Sequence, residues 1–324
     1  MMRRFLALMM VACLVLLGVQ LSVGAEQAHV QVNVGSLKGP TTMGLSKMIQ
    51  DHENGDDYAF TMAGTPDELA PMLAKGELDI ALIPCNLAAV LNQRMEGGLQ
   101  VAAINTLGVL YIVEKGDGVH DVADLKGKTL LSTGKGTTPE YALNHVLSVN
   151  GIDPGQDLVI DYRSEATEVA ALLESGTQTL AMLPQPFVTA VLTQNKELRV
   201  ALSLTQAWAD QTPEGALVTG VVAVRKAFAE AHLEQLKAFM DEYAASTQYV
   251  NDNPVEAAQW IEALGIAKAP IAEQAIPACN IVCITGDEMV QKVSGYLAVL
   301  YAQNPQSVGG ALPNEAFYLA DIAG

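Results

Sequence analysis

The amino-acid sequence predicts an α/β protein of two similar βαβ lobes with a cleft between them, and three features carry that prediction. Short apolar runs alternate with helical stretches along most of the chain. One strand, loop and helix plan occurs twice. Two further β-rich runs flank the second copy, as two crossings between lobes would.

The first copy opens with Val30, Val32 and Val34 in alternation. Gly35-Ser-Leu-Lys-Gly-Pro-Thr-Thr42 follows, and Leu45, Met48 and Ile49 then stand at helical spacing. The plan returns as Thr129-Leu130-Leu131, then Gly134-Lys-Gly-Thr-Thr-Pro-Glu140, then Tyr141 to Leu147, so that Lys38-Gly39-Pro40-Thr41 corresponds to Lys135-Gly136-Thr137-Thr138. Downstream, Leu73, Gly76, Ala81 and Pro84 match Leu173, Gly176, Ala181 and Pro184. After one inserted residue, Ala89-Val90-Leu91 matches Ala190-Val191-Leu192. Each copy reads as a helix ended by glycine, a buried strand (79–83 and 179–183), a proline and another helix. Such alternation implies parallel sheets with right-handed crossovers.

The crossings are placed at 104–112 and 219–226, lobe 1 at 26–103 plus 227–324, and lobe 2 at 113–218. From Phe228 the pattern is helical. Leu233, Leu236 and Phe239 share a face, Asn253-Pro254 with Glu256 opens a helix, Trp260 and Leu264 face inward, and Met289, Val293, Tyr296 and Leu297 form an apolar stripe. This tail shows no strand run of its own and is expected to pack back on lobe 1.

Residues 1–25 combine Arg3 and Arg4, an apolar run from Phe5 to Val19, and Val23-Gly24-Ala25, the pattern of a secretory signal peptide cleaved after Ala25. The apolar run is shorter than the roughly 20 residues a spanning helix needs. An exported, periplasmic protein is expected; a lipid anchor through Cys13, within a faint Met10-Val-Ala-Cys13 box, is the alternative. Of 324 residues 50% are hydrophobic, ample for a core, and losing Arg3 and Arg4 moves the formal charge from −18 to −20. That acidity disfavours nucleic acid and anionic lipid surfaces as partners. An oxidising compartment permits a Cys279–Cys283 bridge, with Cys85 as a buried apolar residue; with no histidine nearby, the pair falls short of a zinc site.

Known catalytic patterns are absent from the sequence. Gly134-Lys135 lacks the glycine five residues earlier and the hydroxyl residue after lysine that a phosphate loop needs, and Pro139 replaces the third glycine of a dinucleotide fingerprint. His29, His52, His120, His145 and His232 are scattered, and no Gly-x-Ser-x-Gly elbow occurs. Both copies instead supply a small-residue loop at a helix start, where free backbone amides and threonine hydroxyls suit an acceptor group on a ligand.

Gly35-Ser-Leu-Lys-Gly-Pro-Thr41, Lys75-Gly-Glu-Leu-Asp-Ile-Ala81, Asp124-Leu-Lys-Gly-Lys128, Gly134 to Glu140 and Asn253-Pro254, in that order, resemble the substrate-binding proteins of ABC importers in the nitrate, sulfonate and taurine branch, which also holds thiamine-pyrimidine binders. The resemblance covers nearly the whole mature chain. It implies a type 2 periplasmic-binding fold, a small-molecule ligand in the cleft, delivery to a membrane permease with its ATPase, a monomer, and neither cofactor nor metal nor catalysis. By position, ligand contacts are expected from Leu37, Lys38, Gly39, Pro40, Thr41 and Thr42, from Pro84 and Asn86, from Asn105 and Thr106, from Gly136, Thr137 and Thr138, and from Gln185 and Pro186. Anion-specific members often offer an arginine, whereas these loops contain none; a weakly charged or neutral ligand is therefore expected, with Tyr111 or Phe187 able to stack on a flat ring. A receptor-coupled sensor and an enzyme on the same fold, with Glu140 and Lys135 as its titratable pair, are the alternatives.

Overall fold

The computed structural model describes residues 30–211 and 215–322; the leader read in residues 1–25, Cys13 included, lies outside them. Four strands, β1 (Val32–Leu37), β2 (Tyr58–Ala63), β3 (Ile80–Pro84) and β4 (Leu99–Leu107), come first. The chain then passes into a second sheet of β5 (Leu110–Lys115), β6 (Thr129–Ser132), β7 (Val159–Tyr162), β8 (Leu180–Pro184) and β9 (Leu198–Ser203). It returns to the first with β10 (Val218–Arg225) and β11 (Ile281–Ile284). The first sheet runs β11-β4-β10-β3-β1-β2 and the second β7-β6-β8-β5-β9.

The two sheets are built alike. In each, three strands run parallel in the order second, first, third: β2-β1-β3 and β7-β6-β8. The helices that feed the third strands, Pro66–Lys75 and Ala166–Glu174, give way to glycines in the left-handed region, Gly76 at φ 79° and Gly176 at φ 71°. A capping box fixes the start of the first of these, the Thr65 amide donating to Glu68 Oε1 at 2.9 Å.

The sheets are mixed, however, not parallel throughout. β10 lies antiparallel between β3 and β4, and β5 lies antiparallel between β8 and β9. Each reversed strand is the one that has just arrived from the other lobe. It enters its sheet at the cleft edge, where the parallel strands leave, and so must run against them.

The tail also differs from expectation. Ile281–Ile284 forms β11, antiparallel to β4 at the edge of the first sheet; four residues of alternation are too few to stand out beside helical neighbours. Asn253 precedes the Pro254–Ala263 helix, but its amide donates back to the Tyr249 carbonyl at 3.1 Å and does not cap forward. Leu233 is exposed, and Trp260 and Leu264 are half-buried. Cys279 and Cys283 carry free thiols, as does Cys85. The bridge is not formed because Cys279 ends a 3-10 turn inside the helical cluster while extended β11 carries Cys283 away along the sheet.

The Gly286–Gln303 helix buries Met289, Val293, Tyr296 and Leu297 completely. It packs on the first lobe, and it also reaches the second: the rings of Tyr296 and Trp208 lie 5.6 Å apart, and Trp208 lies 4.3 Å from His145. One apolar cluster therefore runs from Leu82's neighbours Ala81 and Ile83, through Tyr296 and Trp208, to Leu143 and Leu147.

Trp208→Ala should accordingly cost about 3–5 kcal/mol in urea denaturation, as deletion of a fully buried large aromatic does; a loss below about 1 kcal/mol would contradict a core shared by both lobes. Burial holds His145 below the ordinary imidazole value. The unfolded chain therefore takes up the proton first, so this contribution to stability is complete above pH about 6.5 and is lost as pH falls below it. His145→Gln should flatten the decline in stability between pH about 7 and 5, measured by denaturation at both.

Candidate functional site

Pro84 turns the chain from β3 directly into the Cys85–Arg94 helix. Asn86, Val90 and Arg94, four residues apart, share one face of that helix and form one wall of a cavity of about 560 Å³. The facing wall comes from the second lobe: the Gly134 to Pro139 loop and Tyr141, at the start of the Thr138–Val149 helix. Thr219, at the start of β10, and Gln306 and Ser307, from the tail, close the remaining sides, with Asp67 at the mouth.

A side-chain hydrogen bond joins the two walls: Thr138 Oγ1 donates to Asn86 Oδ1 at 3.3 Å. A second link runs through the tail, Gln303 Nε2 donating to the Tyr141 carbonyl at 3.1 Å. The second-lobe loop is shaped by Gly134 at φ 73° and Gly136 at φ 77°, and by Thr137 Oγ1 donating to the Gly134 carbonyl at 2.7 Å. Glu140 caps this loop, accepting from the Gly136 amide at 2.5 Å, while Lys135 lies 5.9 Å from the centre of the Tyr162 ring, outside the cavity lining. The Glu140 and Lys135 pair is thus structural in its visible contacts.

Of the residues expected at the ligand, the cavity gathers Pro84, Asn86, Gly136, Thr137 and Thr138. Leu37, Lys38, Gly39, Pro40, Thr41 and Thr42 do not line it. The hydroxyls of Thr41 and Thr42 both donate to the Leu37 carbonyl, at 2.7 and 2.5 Å, and Lys38 is exposed. The first-lobe loop also differs from its counterpart in opening only a four-residue helix, Pro40–Met43. Asn105 and Thr106 are fully buried in β4, where Asn105 Nδ2 donates to the Thr41 carbonyl at 3.4 Å. Gln185 accepts from Thr189 Oγ1 at 2.8 Å, and Pro186 follows it across a cis peptide bond; neither lines the cavity. Tyr111 donates to the Ala278 carbonyl at 3.1 Å, and Phe187 packs against the second-lobe core.

Arg94, Tyr141, Thr219, Asp67, Gln306 and Ser307 line the cavity without having been expected there. The loops named from the sequence hold no arginine, but Arg94 lines the cavity from a helix. It stands at the far end of a helix, not in a loop, and the Asn86, Val90, Arg94 spacing was the available signal. Arg163, by contrast, is engaged by Asp161 at 2.5 Å and Glu168 at 3.3 Å. Burial, above all, raises the Tyr141 phenol, against a hydrogen bond with Asn304 that lowers it, so Tyr141 is a neutral donor near pH 7. Behind the wall, burial pushes the Cys85 thiol up, which suppresses its thiolate. Among the described residues no group of three or more His, Cys, Asp or Glu is placed to hold a metal ion.

Two mixed sheets with a ligand-sized cavity between their lobes define a type 2 periplasmic-binding fold. Solved structures of that fold superpose over most of the chain. An ABC transporter protein from Parabacteroides distasonis is 24% identical, with 90% of this chain and 99% of that chain covered and a TM-score of 0.77. The periplasmic aliphatic sulphonate binding protein SsuA of Escherichia coli is 14% identical over 86% and 85%, TM-score 0.65. The nitrate-binding protein NrtA of Synechocystis is 14% identical over 90% and 85%, TM-score 0.61. At these identities the likeness is one of fold. No curated protein sequence matches the chain. The menaquinone biosynthesis family model matches residues 40–273, and the chain belongs to that family. This overturns the expectation of a protein without catalysis: a biosynthetic family points to an enzyme on the binding-protein fold.

Gly220 tests the packing behind the cavity. A Cβ there would stand 2.3 Å from Asn105 Oδ1 and 2.9 Å from Thr41 Cγ2. Gly220→Ala should destabilise by about 1–3 kcal/mol through overpacking. An unchanged Tm would show that Asn105 and Thr41 are not held as described.

Proposed function

We propose that this chain is an enzyme of menaquinone biosynthesis that binds a small organic acid in the interlobe cavity and transforms it there. The observation that carries this reading is the family match across residues 40–273, a span that includes both facing walls of the cavity. The arrangement supports it chemically. Arg94 presents a guanidinium at the cavity with no ion pair among the described residues, a suitable partner for a carboxylate. Thr138–Val149 directs the amide end of a twelve-residue helix at the same space. Tyr141 holds a proton on its phenol at neutral pH, and Asp67 supplies a carboxylate at the mouth, so donor and acceptor flank one substrate.

A ligand that touches both walls stabilises the joined state by its differential affinity for it, in the same direction as the Thr138 to Asn86 hydrogen bond. With a leader in residues 1–25, the step would run outside the cytoplasm.

The test is turnover. The purified protein is incubated with a panel of cyclic and aromatic carboxylic acids and the products are followed by mass spectrometry. One acid should be consumed. Arg94→Ala should then raise KM about 10- to 100-fold, the worth of a hydrogen bond to a charged group, and Tyr141→Phe should lower kcat. Acids that bind and return unchanged would sink the catalytic reading and leave carriage to a permease in its place.

A further inference from the structure

The interlobe cavity does not end at Arg94. A second, smaller space of about 280 Å³ adjoins it on the first lobe, and Asp67 and Arg94 line both. It is a groove between two helices. Pro71 and Ala74 face it from Pro66–Lys75, four and seven residues after Asp67 and so on the same helix face, and Leu91 and Met95 face it from the end of Cys85–Arg94 and its cap. Pro71 contributes ring carbons and no amide hydrogen, and the side chains of Ala74, Leu91 and Met95 are apolar. The only charged groups lining the groove among the described residues are the two at the junction.

A carboxylate held by Arg94 therefore sits between two spaces, not at the end of one. A group attached beside that carboxylate can enter the groove while the body of the molecule stays between the lobes. Asp67 at the junction repels a second anionic group, so the groove suits an uncharged one. Resting on the reading of the interlobe cavity as the substrate site, we infer that the substrate bears its carboxylate at a branch, with one arm in the interlobe cavity and a second, apolar arm in the groove between the two first-lobe helices. The groove is built by the first lobe alone, so it sorts acids by their second arm independently of the contacts made by the second-lobe loop.

Three acids that differ only at the carbon beside the carboxylate test this by calorimetric titration of the full chain. They are 3-phenylpropanoate, with hydrogen there, 2-benzyl-3-phenylpropanoate, with a second benzyl arm, and 2-benzylsuccinate, with a carboxymethyl arm. The dibenzyl acid should bind about tenfold more tightly than 3-phenylpropanoate, the worth of half-burying an aromatic ring, and benzylsuccinate should show no such gain. Ala74 is exposed and lines the groove but not the interlobe cavity. Ala74→Trp should fill the groove and abolish the tenfold gain while leaving the affinity for 3-phenylpropanoate unchanged. Ala74→Ser should keep the gain, which separates occupation of the groove from damage to the helix. Arg94→Gln should weaken 3-phenylpropanoate and the dibenzyl acid by the same factor. A gain that is absent, that survives Ala74→Trp or that benzylsuccinate matches overturns the inference while leaving the acid site standing. If 3-phenylpropanoate does not bind, or binds Arg94→Gln as tightly as the natural chain, the substrate-site reading falls and the inference with it.

Discussion

Each sheet in this protein is completed by a strand from the other lobe, and that exchange determines the rest of the architecture. β5 follows β4 out of the first sheet after two residues, Gly108 and Val109, and β10 brings the chain back to pair with both β3 and β4. The first crossing therefore joins the interiors of the two sheets, while the return leaves the second sheet from its edge strand β9 and enters the interior of the first. Because the parallel strands of both sheets end toward the crossings, the loops and helix starts that follow them, at Pro84 and at Gly134 to Thr138, face one another. The tail reinforces this: Tyr296 against Trp208 places a first-lobe helix in the second lobe's core. Any opening of the cavity works against that buried aromatic contact.

How much of this the sequence disclosed depends on the range of the interaction concerned. The duplicated Leu, Gly, Ala and Pro positions were legible because they encode local events: a left-handed helix end, a buried strand, a turn into the next helix. Gly76 and Gly176 behave alike in the structure for that reason. The direction of β5 and β10 was not legible, since strand direction is set by which sheet the chain has come from, and no residue in Val218–Arg225 records that. β11 was missed because its four residues gain their hydrogen bonds from β4, some 180 residues earlier. For the site, position in the loops identified Pro84, Asn86 and Gly136 to Thr138, but Arg94 lies nine residues into a helix and enters the cavity only through helical periodicity.

The comparisons divide along the same line between fold and site. Structures of sulphonate- and nitrate-binding proteins share the backbone plan at 14% identity, and a shared plan of two lobes and a cleft is compatible with many ligands. The family match addresses this chain more closely than those likenesses of fold do. Arg94 offers a full positive charge, Tyr141 a proton, and the space between them an apolar wall.

Polar atoms without a partner also fall at the crossings. Asn105 Oδ1, Thr106 Oγ1, Thr205 Oγ1 and Thr219 Oγ1 are all buried with no hydrogen-bond partner among the described residues. All four lie at the crossings: Gly220 pairs with Thr106, a Cβ on Gly220 would meet Asn105, and one on Gly108 would meet Thr205. Each such atom costs about 1–3 kcal/mol relative to a satisfied one. Replacing these side chains with valine or leucine would remove that cost, and the neighbouring Val218, Val221 and Val222 show that β10 accepts such residues. A sequence that keeps hydroxyls and an amide at the crossings gives up stability where the chain passes between the lobes. Unsatisfied groups of this kind also occur elsewhere among the described residues, at Ser46, Tyr162 and Thr247, so the crossings are one of several places where polar character is kept at a cost in stability.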